Sequence, residues 1–193
     1  MKNHETIWQP QWDALTLQPG MSMLHLFQNP VGVTRPGLSR AATFETTSME
    51  LPGQLPRGHR FMCVGLLLTV RGLVPSDEEL LLDRGVFELH IGNKRMLFES
   101  PLRRLTLPSI ALNSPYPPAM PKLRLVERIK AAIRKWLGLT RYAPTMYEIV
   151  PLLIAESEYF RVSIYFATPP EITEPVRLMV HLNGHLIRER YDA

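Results

Sequence analysis

The residues of this sequence whose types could support chemistry form no recognised catalytic motif. His181 and His185 stand close enough in sequence to suggest a shared metal ion. The Asn183-Gly184 pair between them favours a type I′ β-turn, which pairs Leu182 with His185 and directs His181 to the opposite face of a hairpin. The sequence therefore argues against a metal site here, and it predicts no cofactor.

The single cysteine and a group of acidic residues have structural explanations. Cys63 lies in an apolar run, so we expect it to be packing rather than a nucleophile, and no internal disulfide is possible. Asp77, Glu78 and Glu79 follow Pro75 and suit the start of a short helix better than a pair of catalytic carboxylates. His-Glu-x-x-His, glycine-rich phosphate loops and Gly-x-Ser-x-Gly do not occur. The sequence predicts no catalytic residues and a protein that is not an enzyme.

Two alternating patterns around turn residues indicate β-hairpins. The first covers residues 87–98 with a turn at Gly92-Asn93, and the second covers residues 176–188 with a turn at Asn183-Gly184. The predicted pairs of the first hairpin are Ile91 with Lys94, Leu89 with Met96 and Phe87 with Phe98.

Further strands are predicted from apolar runs and alternation. Residues 61–70 are apolar at nearly every position, as in a strand buried on both faces. Residues 160–166 alternate, with Arg161 and Ser163 facing outward. Residues 43–49 favour a strand through their β-branched residues, whereas residues 146–155 fit a strand or a helix. The pattern is mainly β and predicts an antiparallel two-sheet β-sandwich, with a single jelly roll preferred over an immunoglobulin-like sandwich.

Length and composition indicate one domain. The 193 residues include 45% hydrophobic residues, 18 prolines and 11 glycines, which favours short strands joined by stiff loops. Residues 1–40 are predicted to be an N-terminal arm that wraps over its own domain or reaches a neighbouring subunit. Residues 41–193 are predicted to form the sandwich domain, with an inserted amphipathic helix at about 122–137. We expect neither a signal peptide nor a membrane-spanning segment.

The net charge of +4 is concentrated in one segment. Residues 121–141 carry seven Lys or Arg residues and one acidic residue. Three interpretations stay open: a surface helix docked on the sandwich, a helix that contacts anionic lipid, and a surface that contacts nucleic acid, with lipid favoured over nucleic acid. The residues expected to face membrane or nucleic acid are Lys122, Arg128, Lys130, Arg134, Lys135 and Trp136.

The C-terminal strands carry a resemblance to a known class. Phe160–Phe166, Pro169-Pro170 and the segment Val176–Arg188 resemble the closing strands of jelly-roll capsid proteins from tailless icosahedral phages. The hairpin from Phe87 to Pro101 is similar to an interior strand pair of that class. The lineage is sphaerolipovirus-like and tectivirus-like, and its capsids often enclose a membrane.

The resemblance implies a virion structural protein, a capsid subunit that is made in the host cytoplasm and builds an icosahedral shell by self-association. Its implied partners are copies of itself, other capsid proteins and an internal lipid membrane, with nucleic acid contact less favoured. Trp8, Trp12 and Tyr116 are the expected assembly contacts, because aromatic residues in polar segments are favoured at interfaces, although packing within the subunit is an equal alternative.

Two other functions remain open at this point. One is a β-sandwich module that binds anionic membrane surfaces through helix 122–137. The other is a sandwich-type lectin or hydrolase, which would depend on Glu88, His90 and Arg95 of the first hairpin.

Overall fold

The computed structural model describes residues 3–34, 40–72, 75–92, 94–106 and 146–190. Within these residues the chain forms nine strands and two short helices. In chain order they are β1 (Asn3–Trp8), β2 (Gln11–Leu17), β3 (Met23–Leu26), β4 (His59–Arg71), α1 (Pro75–Arg84), β5 (Gly85–Ile91), β6 (Lys94–Pro101), α2 (Leu102–Leu105), β7 (Tyr147–Ile154), β8 (Phe160–Phe166) and β9 (Val176–Arg190).

The strands form two antiparallel sheets. In the first sheet β9 lies between β4 and the successive strands β1 and β2, and β7 pairs with the other side of β4. The second sheet has the order β3-β8-β5-β6. This arrangement confirms a mainly β protein consistent with an antiparallel β-sandwich.

The core lies between the inward faces of the two sheets. The largest fully buried side chains come from both sheets and from the turn after β3, and they include Phe27, Phe61, Phe87 and Phe160. The rings of Phe27 and Phe160 lie 5.5 Å apart at a tilted angle. Since burial of one such side chain stabilises a fold by about 1.5–3 kcal/mol, these residues hold the sheets together.

The predicted hairpin at Asn183-Gly184 is wrong, because residues 176–190 form one continuous strand. Strand β4 runs antiparallel along β9 from the pair His59 and Arg188 to the pair Arg71 and Arg177. A Cβ atom at Gly184 would lie 2.9 Å from the carbonyl carbon of Met62 and closer still to its oxygen. The glycine therefore permits the close approach of two strands and does not make a turn.

The predicted hairpin of β5 and β6 is confirmed by their antiparallel pairing, with a different register, while Asn93 of the predicted turn lies outside the described residues. Ile91 pairs with Lys94 as predicted, but Leu89 pairs with Phe98, because the register shifts between Leu89 and Ile91. Phe87 consequently pairs with Ser100. A shift of two residues on one strand preserves the face to which each side chain points, so the predicted division into buried and outward residues holds for β5.

Residues 3–34 are part of the sandwich, which differs from the predicted arm. They form β1 and β2 on the first sheet and β3 on the edge of the second. Leu17, Leu26 and Phe27 are fully buried. Asp13, itself buried, accepts hydrogen bonds from the backbone N–H groups of Phe27 at 2.6 Å and Ala14 at 3.0 Å, which fixes the turn after β3 to β2.

The remaining elements agree in part with the sequence patterns. The helix predicted after Pro75 is α1, and residues 147–154 are a strand rather than a helix. Residues 43–49 form a turn with one isolated bridge between Thr47 and Asp13, so the strand predicted there is wrong. The predicted helix 122–137 lies outside the described residues. None of the helices that the structure describes is long and apolar enough to cross a membrane.

Candidate functional site

One candidate surface is the outer face of the first sheet. Alternation along β9 buries Leu178, Val180 and Leu182 and directs the residues between them outward. His181 pairs with Trp12 of β2, and His185 pairs with Trp8 of β1. We call this surface the tryptophan face and define it by Trp8, Trp12, Met179, His181 and His185.

The two tryptophans differ in how much of the indole is available to a partner. Trp8 is 52% exposed and meets the ring of His185 edge-to-face at a centroid distance of 5.1 Å. Trp12 is half-buried, and its Nε1–H donates to the carbonyl oxygen of Phe44 at 3.1 Å. The structure therefore brings the two predicted contact residues onto one face, with Trp8 the more accessible.

The same face corrects the prediction that His181 points away from His185. Because β9 is continuous, both side chains point outward from the first sheet. Four residues along a strand span about 13 Å, whereas a bound zinc ion lies about 2 Å from each histidine nitrogen. Among the described residues no group of three or more His, Cys, Asp or Glu side chains is placed to hold a metal ion.

At the outer edge of the first sheet, residues 46–48 cover the backbone of β2. The N–H group of Trp12 donates to Ser48 Oγ at 2.9 Å, and the N–H group of Ser48 donates to the carbonyl oxygen of Trp12 at 2.8 Å. Within the described residues β1 pairs with β9 alone. Trp8 therefore lies on the part of this edge that these contacts leave open.

A second candidate surface is a polar group on the outer face of the second sheet. Its members come from four neighbouring strands and combine carboxylates, imidazoles, a guanidinium and hydroxyl groups. We call it the polar cluster, and it consists of His25, Glu88, His90, Glu99, Arg161, Ser163 and Tyr165.

Side-chain contacts connect members of the polar cluster. His90 Nε2 lies 2.9 Å from Glu88 Oε2, and His25 Nδ1 lies 3.1 Å from Ser163 Oγ. The hydroxyl of Tyr165 donates to Glu99 Oε1 at 3.5 Å. The surface therefore offers hydrogen-bond donors and acceptors side by side.

The environment shifts two groups of the polar cluster toward their neutral forms. Burial, then the nearby charges of Arg161 and His90, lower the pKa of His25. Burial, then the carboxylates of Glu99 and Glu88, raise the pKa of Tyr165. At neutral pH the cluster therefore holds an uncharged imidazole and an uncharged phenol between charged neighbours.

Two residues considered for chemistry have structural roles. Cys63 is fully buried, and burial raises the pKa of its thiol to about 12, so it is protonated at neutral pH. Asp77 is buried at α1, where one carboxylate oxygen accepts bonds from the N–H and the hydroxyl of Thr173, both at 3.1 Å. These two hydrogen bonds between Thr173 and Asp77 connect the loop before β9 to α1.

Several predicted site residues lie outside the described residues. They are Tyr116 and the basic group Lys122, Arg128, Lys130, Arg134, Lys135 and Trp136. Alternation identified Arg161 and Ser163 as outward residues, but the sequence carried no signal that β3 brings His25 to them. No family model, curated protein or solved structure matches the chain.

Proposed function

We propose that this chain is a virion structural protein, a capsid subunit built on a single jelly roll. The observation that carries the proposal is the strand pairing. When β1 and β2 are counted as one strand interrupted at Pro10, the described residues form eight strands, and the first pairs with the eighth, the second with the seventh, the third with the sixth and the fourth with the fifth. Nested pairing of this kind supports a jelly roll, an architecture common in viral capsid proteins.

Exposed apolar side chains at both edges of the first sheet support self-association. Trp8 is exposed at the β1 edge, while Val150 is 82% exposed and Leu153 49% exposed on β7 at the opposite edge. A closed shell requires each subunit to meet neighbours through more than one side. Two apolar edges on opposite sides of one sheet suit that requirement.

Trp8 is the strongest candidate for an anchor at such a contact. An aromatic side chain buries roughly 150–250 Å² when it is covered completely. Covering the exposed half of Trp8 removes about 100 Å² from water, which is worth about 2.5 kcal/mol per contact. The rigid sandwich then determines the angle between neighbours, and repetition of the contact builds the shell.

Light scattering and electron microscopy of the purified chain test this proposal. We expect a defined oligomer or a shell-sized particle, which Trp8→Lys and Val150→Lys convert to smaller species. Val33→Lys is the matched control, because Val33 is also exposed but belongs to a loop and not to the edge strands β1 and β7. Deletion of residues 1–40 is unsuitable, since it removes β1, β2 and β3 from the sandwich.

The outcome that contradicts self-association is a monomer at every protein and salt concentration. In that case the preferred function is the alternative one, a module that binds anionic membranes through residues 122–137. It predicts sedimentation with anionic vesicles, lost when charge is reversed at Lys130, Arg134 and Lys135.

A further inference from the structure

A cleft of about 150 Å³ lies at the junction of β1 and β2, against the loop of residues 48–56 and the start of β4. Its floor is aliphatic and includes Leu55 and Leu186, which are both buried. Polar side chains surround this floor. They are Gln9, Gln11, Glu50, Gln54, His59 and Arg188.

The polar groups of the cleft retain free hydrogen-bonding capacity. Within the described residues the side chains of Gln9, Glu50 and Gln54 have no hydrogen-bond or ion-pair partner. Gln11 is only 6% exposed, and its Oε1 accepts a bond from Ser48 Oγ at 3.0 Å, which leaves the amide NH₂ to a ligand.

The imidazole of His59, which also lines the cleft, is held by a hydrogen bond at one of its two nitrogens, as Gln11 is held at one end of its amide. His59 Nδ1 lies 3.2 Å from the carbonyl oxygen of Arg57 and donates to it, which leaves Nε2 for a contact with a ligand. A ligand that fits must therefore donate to the carboxylate of Glu50 and also accept from the amide of Gln11. Hydroxyl groups do both.

Charge and size narrow the class of ligand. Arg188 Nε is paired with Glu5 Oε2 at 2.8 Å, so the cleft does not present an uncompensated cation to an anionic ligand. A cavity of about 150 Å³ admits one benzene-sized ring. The lining contains no Phe, Tyr or Trp side chain on which a nucleobase would stack.

We propose that this cleft binds one neutral pyranose unit. The ring's C–H groups lie on the aliphatic floor, and its hydroxyls bond to the glutamine amides, Glu50 and His59. The inference goes beyond assembly, because one subunit contains all the groups that it requires.

Saturation-transfer NMR with the full chain tests the site, using glucose, galactose, mannose and N-acetylglucosamine separately. At least one sugar is expected to bind saturably, with a dissociation constant on the order of 1 mM, the scale for a single small ring. Gln54→Leu removes an amide, and Glu50→Gln replaces one acceptor oxygen with an NH₂ donor; each change is expected to weaken binding about three- to tenfold. Gln18→Leu is the matched control, because Gln18 lies outside the cleft.

Three results overturn the proposal. These are the absence of saturable binding for all four sugars, wild-type affinity in both cleft variants, and displacement of the bound sugar by adenosine. Thermal unfolding establishes that each variant is folded, and the second variant keeps the test decisive when one does not fold. Repeating the titration with the Trp8→Lys variant measures binding apart from self-association, so failure of assembly and failure of the sugar site are distinguished.

Discussion

Replacement of Gly184 by alanine tests the central feature of the first sheet. In the structure Gly184 lies within β9, where it pairs with Cys63 of β4. An added Cβ would lie 2.9 Å from the carbonyl carbon of Met62 and 3.0 Å from Cys63 Cα, and closer still to the Met62 oxygen. These are backbone atoms of a central strand, so they cannot give way as the end of a flexible side chain does.

The expected cost follows from that geometry. Gly184 does not have a positive φ angle, so alanine adopts the backbone conformation without strain and the cost is steric. Overpacking that moves backbone costs about 1–3 kcal/mol and in some cases more. Because both strands are paired on either side, we expect at least about 3 kcal/mol, which lowers the melting temperature of a chain of this size by about 6–12 °C.

Urea unfolding followed by circular dichroism measures the effect. The control is Gly32→Ala, because a Cβ at Gly32 meets no atom within 4 Å, and its cost is the backbone strain of a positive φ of 87°, about 1 kcal/mol. If Gly184→Ala lowers the free energy of unfolding by no more than Gly32→Ala does, β4 and β9 do not approach each other as closely as described. That result would favour a turn at Asn183-Gly184.

Three further predictions concern buried or half-buried groups. Asp13→Ala leaves the buried N–H of Phe27 without its acceptor and should lower the free energy of unfolding by about 2 kcal/mol, measured in urea; an unchanged midpoint would contradict this role. Cys63 should resist iodoacetamide at pH 8 in the native protein and react in urea, and rapid native labelling would refute its burial. Burial lowers the folded-state pKa of His181 below 6.5, so the unfolded chain binds the proton first and stability should fall as the pH drops below 6.5; His181→Gln should reduce this dependence, and an identical slope would exclude it.

The first hairpin and β8 could be predicted because their signals are local. A turn pair flanked by alternating residues identifies β5 and β6, and alternation alone identifies the inward face of β8. The Asn183-Gly184 pair produces the same local signal for a different reason. Its glycine is required by the carbonyl of Met62, which lies more than a hundred residues away in sequence, and a local pattern cannot distinguish the two uses of glycine.

The first three strands could not be predicted because they lie at edges and carry weak patterns. In β1 only Ile7 packs against the core, and in β3 Leu24 and Leu26 alternate with exposed residues over four positions. They are positioned by backbone pairing with β9 and β8, strands more than a hundred residues away, and no local pattern indicates that pairing. The shared face of Trp8 and Trp12 and the four-strand polar cluster depend on the same long-range pairing.

The irregular positions of the first sheet align across it. Pro10 interrupts β1 and β2 at the level of Asn183-Gly184, where the register of β4 shifts between Cys63 and Gly65, and β7 shifts at the same place. Proline cannot donate to the ladder, and a bulge bends its strand and increases the twist.

This line of irregular positions has different consequences at the two edges. On one side the break at Pro10 places Gln9 and Gln11 on the wall of the cleft. On the other side the extra residues of β7 include the exposed Val150, and Pro151 within them blocks pairing with another strand. A neighbour at the β7 edge must therefore bind through side chains, whereas β1, paired only with β9 in the described part of the chain, offers its backbone as well. Lysine at Val150 should weaken association mainly through the lost apolar contact, and Trp8→Lys should leave the backbone of β1 able to pair.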